Sequence, residues 1–325
     1  MPVPIASVAK VMTAYLTLIE HPLAVGEEGF SMTITPTEVA EERKRVALDE
    51  STLTVRAGER ITERQALQAL LLPSANNVAA LLAAHAAGGI AAFVTRMNTT
   101  ARELGMTSTT YTDPSGFDPT TVSTAVDQLK LARAAMRKSA FAAIADESSS
   151  ELPVVGRVRN VNALVGRDGY VGVKTGSDSW AGGCLMFAKQ VTVGGRRLTV
   201  LGVVLGQRQG ALVEAALASA RRLADSVAGA LHVEIAVPAG TRVLIASSAD
   251  GQSVAAATAG ALRAIGWGGL TLPIQVVARA PVPHLRRGER MATVTLRAAS
   301  TATIYATATR SLASPSLSWR LAHLL

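Results

Sequence analysis

Residues 4–15 read PIASVAKVMTAY, and the fold is decided here. From Ser7 onward, Val8, Val11, Met12, Tyr15, Leu16 and Ile19 fall at helical spacing. That pattern predicts a buried helix over 7–19, which Pro22 ends. Ser7 and Lys10 lie one turn apart on one face, with Cβ atoms about 5–6 Å apart. A serine hydroxyl is a poor nucleophile until a base takes its proton. A lysine held among apolar residues loses the hydration of its ammonium form, so its pKa falls and a neutral amine becomes available as that base. The helix N-terminus also favours negative charge developing at Ser7. The bland alternative is a capping serine and a lysine that snorkels to solvent. Ser and Lys at this spacing occur about once by chance in a chain this long.

Further motifs appear downstream. Thr62 and Gln65 form a capping-box pattern that starts a helix running to Leu72 and stopping at Pro73. Ser74-Ala75-Asn76 then connects it to a second helix over 77–87, closed by Gly88-Gly89. In such a gap Ser74 can relay a proton and Asn76 can hold a peptide group, although both residues are also good helix caps. Helices are expected over 90–104, 126–145 and 209–230, and strands over 31–35, 169–174, 183–193 and 196–205. Gly194-Gly195 marks a hairpin. The charge run 41–45 reads as a solvated loop or helix face, and 111–119 as turn chemistry. Lys174-Thr175-Gly176 ends one of the strands. A lysine and a threonine at a sheet edge suit a carboxylate, and a glycine there lets a ligand approach the backbone closely. Such a triplet is expected by chance below about 0.1 times per chain, so it is the sharper signal. After about residue 232 short β-rich runs punctuated by Pro and Gly predict a second, mostly β domain.

Composition bounds the alternatives. With 325 residues, 49% apolar and 17% charged, the chain is neither disordered nor a charged coiled coil. The net charge of +8 would draw it to polyanions. The basic residues are scattered without aromatic interleaving, which argues against nucleic acid and leaves an anionic wall or membrane face. The single cysteine, Cys184, cannot form an intrachain disulfide and reads as a small buried hydrophobe. His21, His85, His232, His284 and His323 are dispersed, so no metal or other cofactor is expected. No P-loop, dinucleotide-binding glycine pattern or G-x-S-x-G elbow is present. No apolar run reaches membrane-span length and no signal peptide is visible, so membrane association is not encoded in these residues.

Taken together in this order, S-x-x-K, S-x-N and K-T-G resemble the signature of penicillin-recognising serine enzymes. The surrounding residues resemble the low-molecular-mass penicillin-binding proteins, the serine-type D-alanyl-D-alanine carboxypeptidases. These are residues 4–15, 71–79, Met97-Asn98, 104–106, 113–117, 160–164 and 172–176. The resemblance spans about residues 3–230. It implies an α/β (α+β) fold: a transpeptidase-like domain over 1–230, with an antiparallel sheet flanked by helices, and a small β-rich accessory domain over 231–325. It also implies the roles. Ser7 is the acylated nucleophile, Lys10 its base and Ser74 the relay to the leaving group. Asn76 holds the acyl-side amide, while Lys174 and Thr175 of the K-T-G triplet, with Gly176, bind the terminal carboxylate. The N–H groups of Ser7 and Ser177 form the oxyanion hole, and Arg208 assists with the carboxylate. The implied partners are peptidoglycan stem peptides ending in D-Ala-D-Ala, with β-lactam antibiotics as covalent inhibitors and action outside the cytoplasm.

The resemblance also sets expectations that this sequence departs from. The family carries a signal peptide and two strands ahead of the serine helix; here Ser7 is the seventh residue, so the sheet is expected to lack a flank. Asp113 stands where asparagine is commoner, and reads as a turn residue. The alternatives are a D,D-endopeptidase or transpeptidase using the same acyl-enzyme, a β-lactamase-like hydrolase, and an inactive peptidoglycan-binding protein. The acids Asp146, Glu147 and Glu151 do not form the E-x-x-L-N arrangement that a class A β-lactamase uses for deacylation.

Overall fold

The apolar spacing of residues 7–19 does produce a buried helix, but its first turn is wound more tightly than expected. The computed structural model, which describes residues 1–280, 284–297 and 301–323, places Ala6–Ala9 in a 3-10 turn that runs into helix α1 (Lys10–Glu20). Ahead of it, β1 (Val3–Pro4) pairs with residues 122–123. Next come β2 (Ser31–Thr33), α2 (Pro36–Ala47) and β3 (Arg60–Thr62), with β2 and β3 antiparallel. The charge run at 41–45 belongs to α2, which begins at a reciprocal capping box between Thr35 and Glu38, with Pro36 at its start. α3 (Glu63–Leu71) starts at the Thr62–Gln65 capping box, as the sequence predicts. α4 (Asn76–Ala87), α5 (Ile90–Glu103), β4 (Val122–Ser123), α6 (Ala125–Ala135) and α7 (Ser139–Ala145) complete the helical part.

The single helix expected over 126–145 is in fact two, and burial explains the break. Leu131, Ala132 and Ala135 face the core in α6, as do Ala140, Phe141, Ile144 and Ala145 in α7. One unbroken 3.6-residue period through the first set would carry Lys138 inward and leave Phe141 out of phase. The chain breaks at 136–138 and restarts in phase with the second set. α1 lies at the centre of this layer, packed against α3, α4, α5, α6 and α7.

After the hairpin β5 (Ser149–Leu152) and β6 (Gly156–Arg159), strands β7 (Tyr170–Asp178), β8 (Gly182–Val193) and β9 (Arg196–Gln207) form an antiparallel sheet in that order. α8 (Leu212–Ala230) follows. Alternation along β8 separates its two faces: Cys184, Met186 and Ala188 join the core shared with the helices, while Leu185 and Phe187 pack with Ala216, Leu217, Ala220 and Ala224 of α8. The sheet thus lies between the helical layer and α8.

The chain divides into two compact units, Met1–Val191 with Arg197–Ala228, and Thr192–Arg196 with Gly229–Leu325. In the second, β10 (His232–Val237) pairs with residues 262–266, and β11 (Arg242–Ser247) opens a larger sheet. The remaining elements are β12 (Ser253–Thr258), β13 (Leu262–Gly266), β14 (Ile274–Ala278), β15 (Arg290–Arg297), β16 (Thr301–Ala308) and a short α9 (Leu317–Ala322). The five-stranded sheet has the order β11-β12-β16-β15-β14. β12 carries little strand signal in the sequence because its inward positions include Ala256.

Two glycines let the sheet and a surface loop close on the nucleophile turn. A Cβ on Gly176 would stand 2.9 Å from Ser7 N and 3.0 Å from Ile5 O. A Cβ on Gly116, whose φ is +78°, would stand 1.9 Å from Ala6 O. Neither neighbour is a side chain that can swing away. Gly116→Ala should therefore destabilise the protein by about 2 kcal/mol or more. Gly229→Ala, in open space on α8, should be neutral or slightly stabilising; chemical denaturation of both variants checks the contrast.

Candidate active site

The tight first turn matters for the pair it carries. With three residues per turn, side chains at i and i+3 eclipse, so Ser7 and Lys10 stack where a regular α-helix would offset them. Lys10 Nζ lies 2.8 Å from Ser7 Oγ. It also donates to Asn76 Oδ1 at 2.6 Å and to the carbonyl of Ser115 at 3.1 Å. Lys10 is 0% exposed. Ala6, just before the nucleophile, has φ +45°, and Ser74 has φ +73°. Both are unusual for residues bearing a Cβ and mark backbone held in place by its surroundings.

Burial drives the pKa of Lys10 well below that of a free lysine, and the nearby charge of Lys174 lowers it further; Asp113 and Glu50 act the other way. The proton inventory then becomes decisive. Asn76 Oδ1 and the Ser115 carbonyl can only accept. A neutral amine has two N–H groups and one lone pair. The two N–H groups go to the two obligate acceptors, and the lone pair is left for the Ser7 hydroxyl. The arrangement can remove the proton of Ser7 without any rearrangement of side chains.

The Ser115 carbonyl is set by its own loop. Asp113 Oδ2 accepts from the N–H of Ser115 (3.0 Å) and of Phe117 (3.1 Å), and Asp113 Oδ1 accepts from Thr121 Oγ1 at 2.7 Å. Thr13 Oγ1, on α1, donates to the carbonyl of Pro114 at 2.6 Å. The turn role read for Asp113 from sequence is thus visible in these contacts.

The second motif lies at the start of α4. Asn76 uses its oxygen on Lys10 and donates through Nδ2 to Glu50 Oε2 at 2.7 Å. One N–H and one oxygen lone pair of this amide remain for a substrate. Ser74 is buried, and among the described residues its Oγ has no hydrogen-bond partner.

The third motif lies on β7, at the edge of its sheet. Lys174 pairs across the sheet with Met186 and Gly176 with Cys184, which places both on the helix-facing side; Thr175 pairs with Leu185, and so faces the α8 side. A ligand that meets both Lys174 and Thr175 must lie along the free edge of β7, where the two faces converge. Lys174 is 1% exposed, and among the described residues its Nζ has no hydrogen-bond partner. Burial pushes its pKa down to about 7. An unpaired ammonium without water is costly, and an arriving carboxylate would relieve that cost.

Two of the expected site residues lie against other parts of the protein. The space where a Gly176 side chain would lie is filled by the backbone of residues 5–8, so this glycine admits the nucleophile turn. Arg208 donates to the carbonyls of Ser179 (3.2 Å) and Trp180 (2.5 Å), which ties it to the turn after β7. These two bonds leave three of its five N–H groups for other partners. Ser7, Glu50, Asn76, Phe117, Ser177 and Trp180 are among the residues around a cleft of about 510 Å³. Ser7 and Ser177, whose N–H groups are the expected oxyanion donors, therefore share one cavity. Glu50 and its partner Arg45 (2.9 Å) were missed in the sequence, where a loop glutamate after a charge run carries no signal. Among the described residues no group of three or more His, Cys, Asp and Glu side chains could hold a metal ion.

A helical layer and a sheet edge closing on an S-x-x-K turn define the DD-peptidase and transpeptidase class of fold. The chain belongs to the D-alanyl-D-alanine carboxypeptidase family, whose model matches residues 1–209. It is 35% identical over 191 residues to a D-alanyl-D-alanine endopeptidase of Escherichia coli, covering 56% of this chain and 58% of that one. It is 39% identical over 153 residues to a D-alanyl-D-alanine carboxypeptidase of Mycobacterium tuberculosis, covering 45% and 52%. The chain thus spans only about half the length of these curated relatives. Among solved structures it resembles a Streptomyces DD-transpeptidase, with TM-score 0.60 and 28% identity over 69% of this chain and 87% of that one. A D-alanyl-D-alanine carboxypeptidase of Francisella tularensis shares the fold over 97% of this chain and 89% of that one, with TM-score 0.64 and 19% identity.

The proton inventory around Lys10 has a direct consequence. Reactivity of Ser7 towards an acylating β-lactam should rise with pH through the lowered Lys10 pKa, because only the neutral amine has a free lone pair. Lys10→Arg, which keeps the charge but cannot deprotonate near neutrality, should lower that reactivity by about 10²–10⁴-fold at every pH, as read by intact-mass spectrometry.

Proposed function

We propose that this protein is a serine DD-peptidase that removes the terminal D-alanine from peptidoglycan stem peptides through an acyl-enzyme on Ser7. The observation that carries the reading is the 2.8 Å contact between Ser7 and a buried lysine whose other two partners can only accept. In this reading Lys10 takes the proton of Ser7, and Ser7 Oγ attacks the carbonyl of the penultimate D-alanine. The oxyanion is held by the N–H groups of Ser7 and Ser177. Ser74 returns a proton to the departing amine, and water then releases the acyl group. The first compact unit carries the chemistry, the β-rich unit is accessory, and the work is done outside the cytoplasm, where the substrate is.

The choice of carboxypeptidase rests on Lys174. A buried lysine with no hydrogen-bond partner among the described residues suits a substrate that ends in a carboxylate along the β7 edge. The second reading is a D,D-endopeptidase, favoured by the similarity to the Escherichia coli endopeptidase. An endopeptidase cuts a cross-link and depends less on a free terminal carboxylate.

Intact mass after penicillin treatment should show one adduct on the wild type and none on Ser7→Ala; label on the alanine variant would remove Ser7 from its role. For substrate choice, a diacetyl-lysyl-D-Ala-D-Ala peptide is compared with its C-terminal amide. A charge-assisted hydrogen bond contributes about 1.5–3 kcal/mol, so the free acid should react about tenfold to over a hundredfold faster. Lys174→Ala should erase most of that preference. For the free acid, kcat/KM should also fall as pH rises through about 7, where Lys174 loses its proton. Equal rates on the two peptides would favour the endopeptidase.

A further inference from the structure

The segment after α2 is laced to the start of α4. Asn76 N–H donates to the Ser51 carbonyl at 2.7 Å. Asn77 Oδ1 accepts from Leu53 N–H at 2.9 Å, and its Nδ2 donates to the Leu53 carbonyl at 2.8 Å. Within this lacing the Glu50 side chain is 4% exposed, and its Oε2 receives both Asn76 Nδ2 (2.7 Å) and Arg45 Nη1 (2.9 Å). Arg45 sits in the last turn of α2, and its carbonyl accepts from the N–H of Glu50 at 3.0 Å. The pair is therefore held from both backbone and side chain.

An asparagine amide can sit either way round. With its NH₂ turned to Lys10, it would donate into the one lone pair that Ser7 needs, and the base would be blocked. A carboxylate cannot donate. Placed on the far side of the amide, it accepts only the NH₂ and leaves the oxygen for Lys10. We propose that Glu50, braced by Arg45, is a positioning residue that locks Asn76 with its oxygen on Lys10 and so keeps the Lys10 lone pair free for Ser7. This rests on the reading of Lys10 as the base. The charged groups acting on Lys10 are Lys174 from β7, Asp113 from the loop before β4, and the Glu50–Arg45 pair, whose opposite signs offset each other there.

The test uses the full chain with benzylpenicillin as probe, following acylation and deacylation by intact mass across the neutral pH range, with thermal melts to establish folding. Glu50→Leu should acylate about tenfold to a hundredfold more slowly. Glu50→Gln should recover most of the rate, because its amide oxygen can accept the same N–H. The two halves of the pair should shift the acid limb of the acylation profile in opposite directions. Glu50→Gln removes a negative charge and should move it to lower pH; Arg45→Gln leaves that charge unbalanced and should move it to higher pH. A folded Glu50→Leu variant with wild-type rate and profile overturns the proposal, as does a loss that glutamine does not restore. Normal acylation with slowed deacylation also overturns it, and would make Glu50 a base for the hydrolytic water. A second measurement does not depend on Lys10 being the base. The Asn76 side-chain NH₂ resonances, identified by their disappearance in Asn76→Asp, should be slow to exchange in the wild type and fast in Glu50→Leu. Unchanged exchange shows that Glu50 does not hold the amide. If Lys10→Arg acylates normally, the reading of the base falls, while this exchange still decides whether Glu50 holds Asn76.

Discussion

A lysine amine with no water has to be neutral or be matched by charge, and the helical unit is arranged around that constraint. Lys10 enters the centre of the layer on α1, packed on all sides by other helices. The contacts offered to it are an amide oxygen, a backbone carbonyl and a hydroxyl, none of them a carboxylate. The charges that act on it at longer range partly cancel. Burial therefore prevails and lowers the pKa of the amine, as the proposed role of base requires. A carboxylate in direct contact would have stabilised the ammonium form and ended its use.

Each surrounding element serves that amine at one remove. The 3-10 turn stacks Ser7 over Lys10. Asp113 fixes the loop whose carbonyl at Ser115 takes one of the Lys10 protons. α4 delivers Asn76 at its first turn, where the lacing to residues 50–53 holds it. Gly176 and Gly116 allow β7 and the loop at 113–117 to come against the turn from either side. A methyl group at either place would push apart the parts that the chemistry needs together.

The two buried lysines divide the work. Lys10 is surrounded by partners, and in the proposed mechanism its lone pair serves Ser7. Lys174 has no partner among the described residues and waits on the sheet edge. Its charge also depresses the pKa of Lys10, which favours the neutral amine that the proposed mechanism requires. Arg208 is tied by two hydrogen bonds to the carbonyls of the turn after β7.

The sequence by itself determined a good deal: the buried S-x-x-K helix, the capping box at Thr62, the hairpin at Gly194-Gly195, the mixed α/β character and the family. These follow from local spacing and turn chemistry, which act over a few residues. The break between α6 and α7 depended on which residues face a core built from other elements. The capping box at Thr35 is legible in principle, in the spacing of Thr35 and Glu38 ahead of the charge run. Only the tertiary structure decided that Gly176 makes room for the chain itself, that Arg208 meets the turn after β7, and that Glu50 stands behind Asn76. Each is a contact between residues far apart in the chain. A hydrogen bond between such residues leaves no trace in the periodicity of either segment, because it depends on where the packed core brings their backbones.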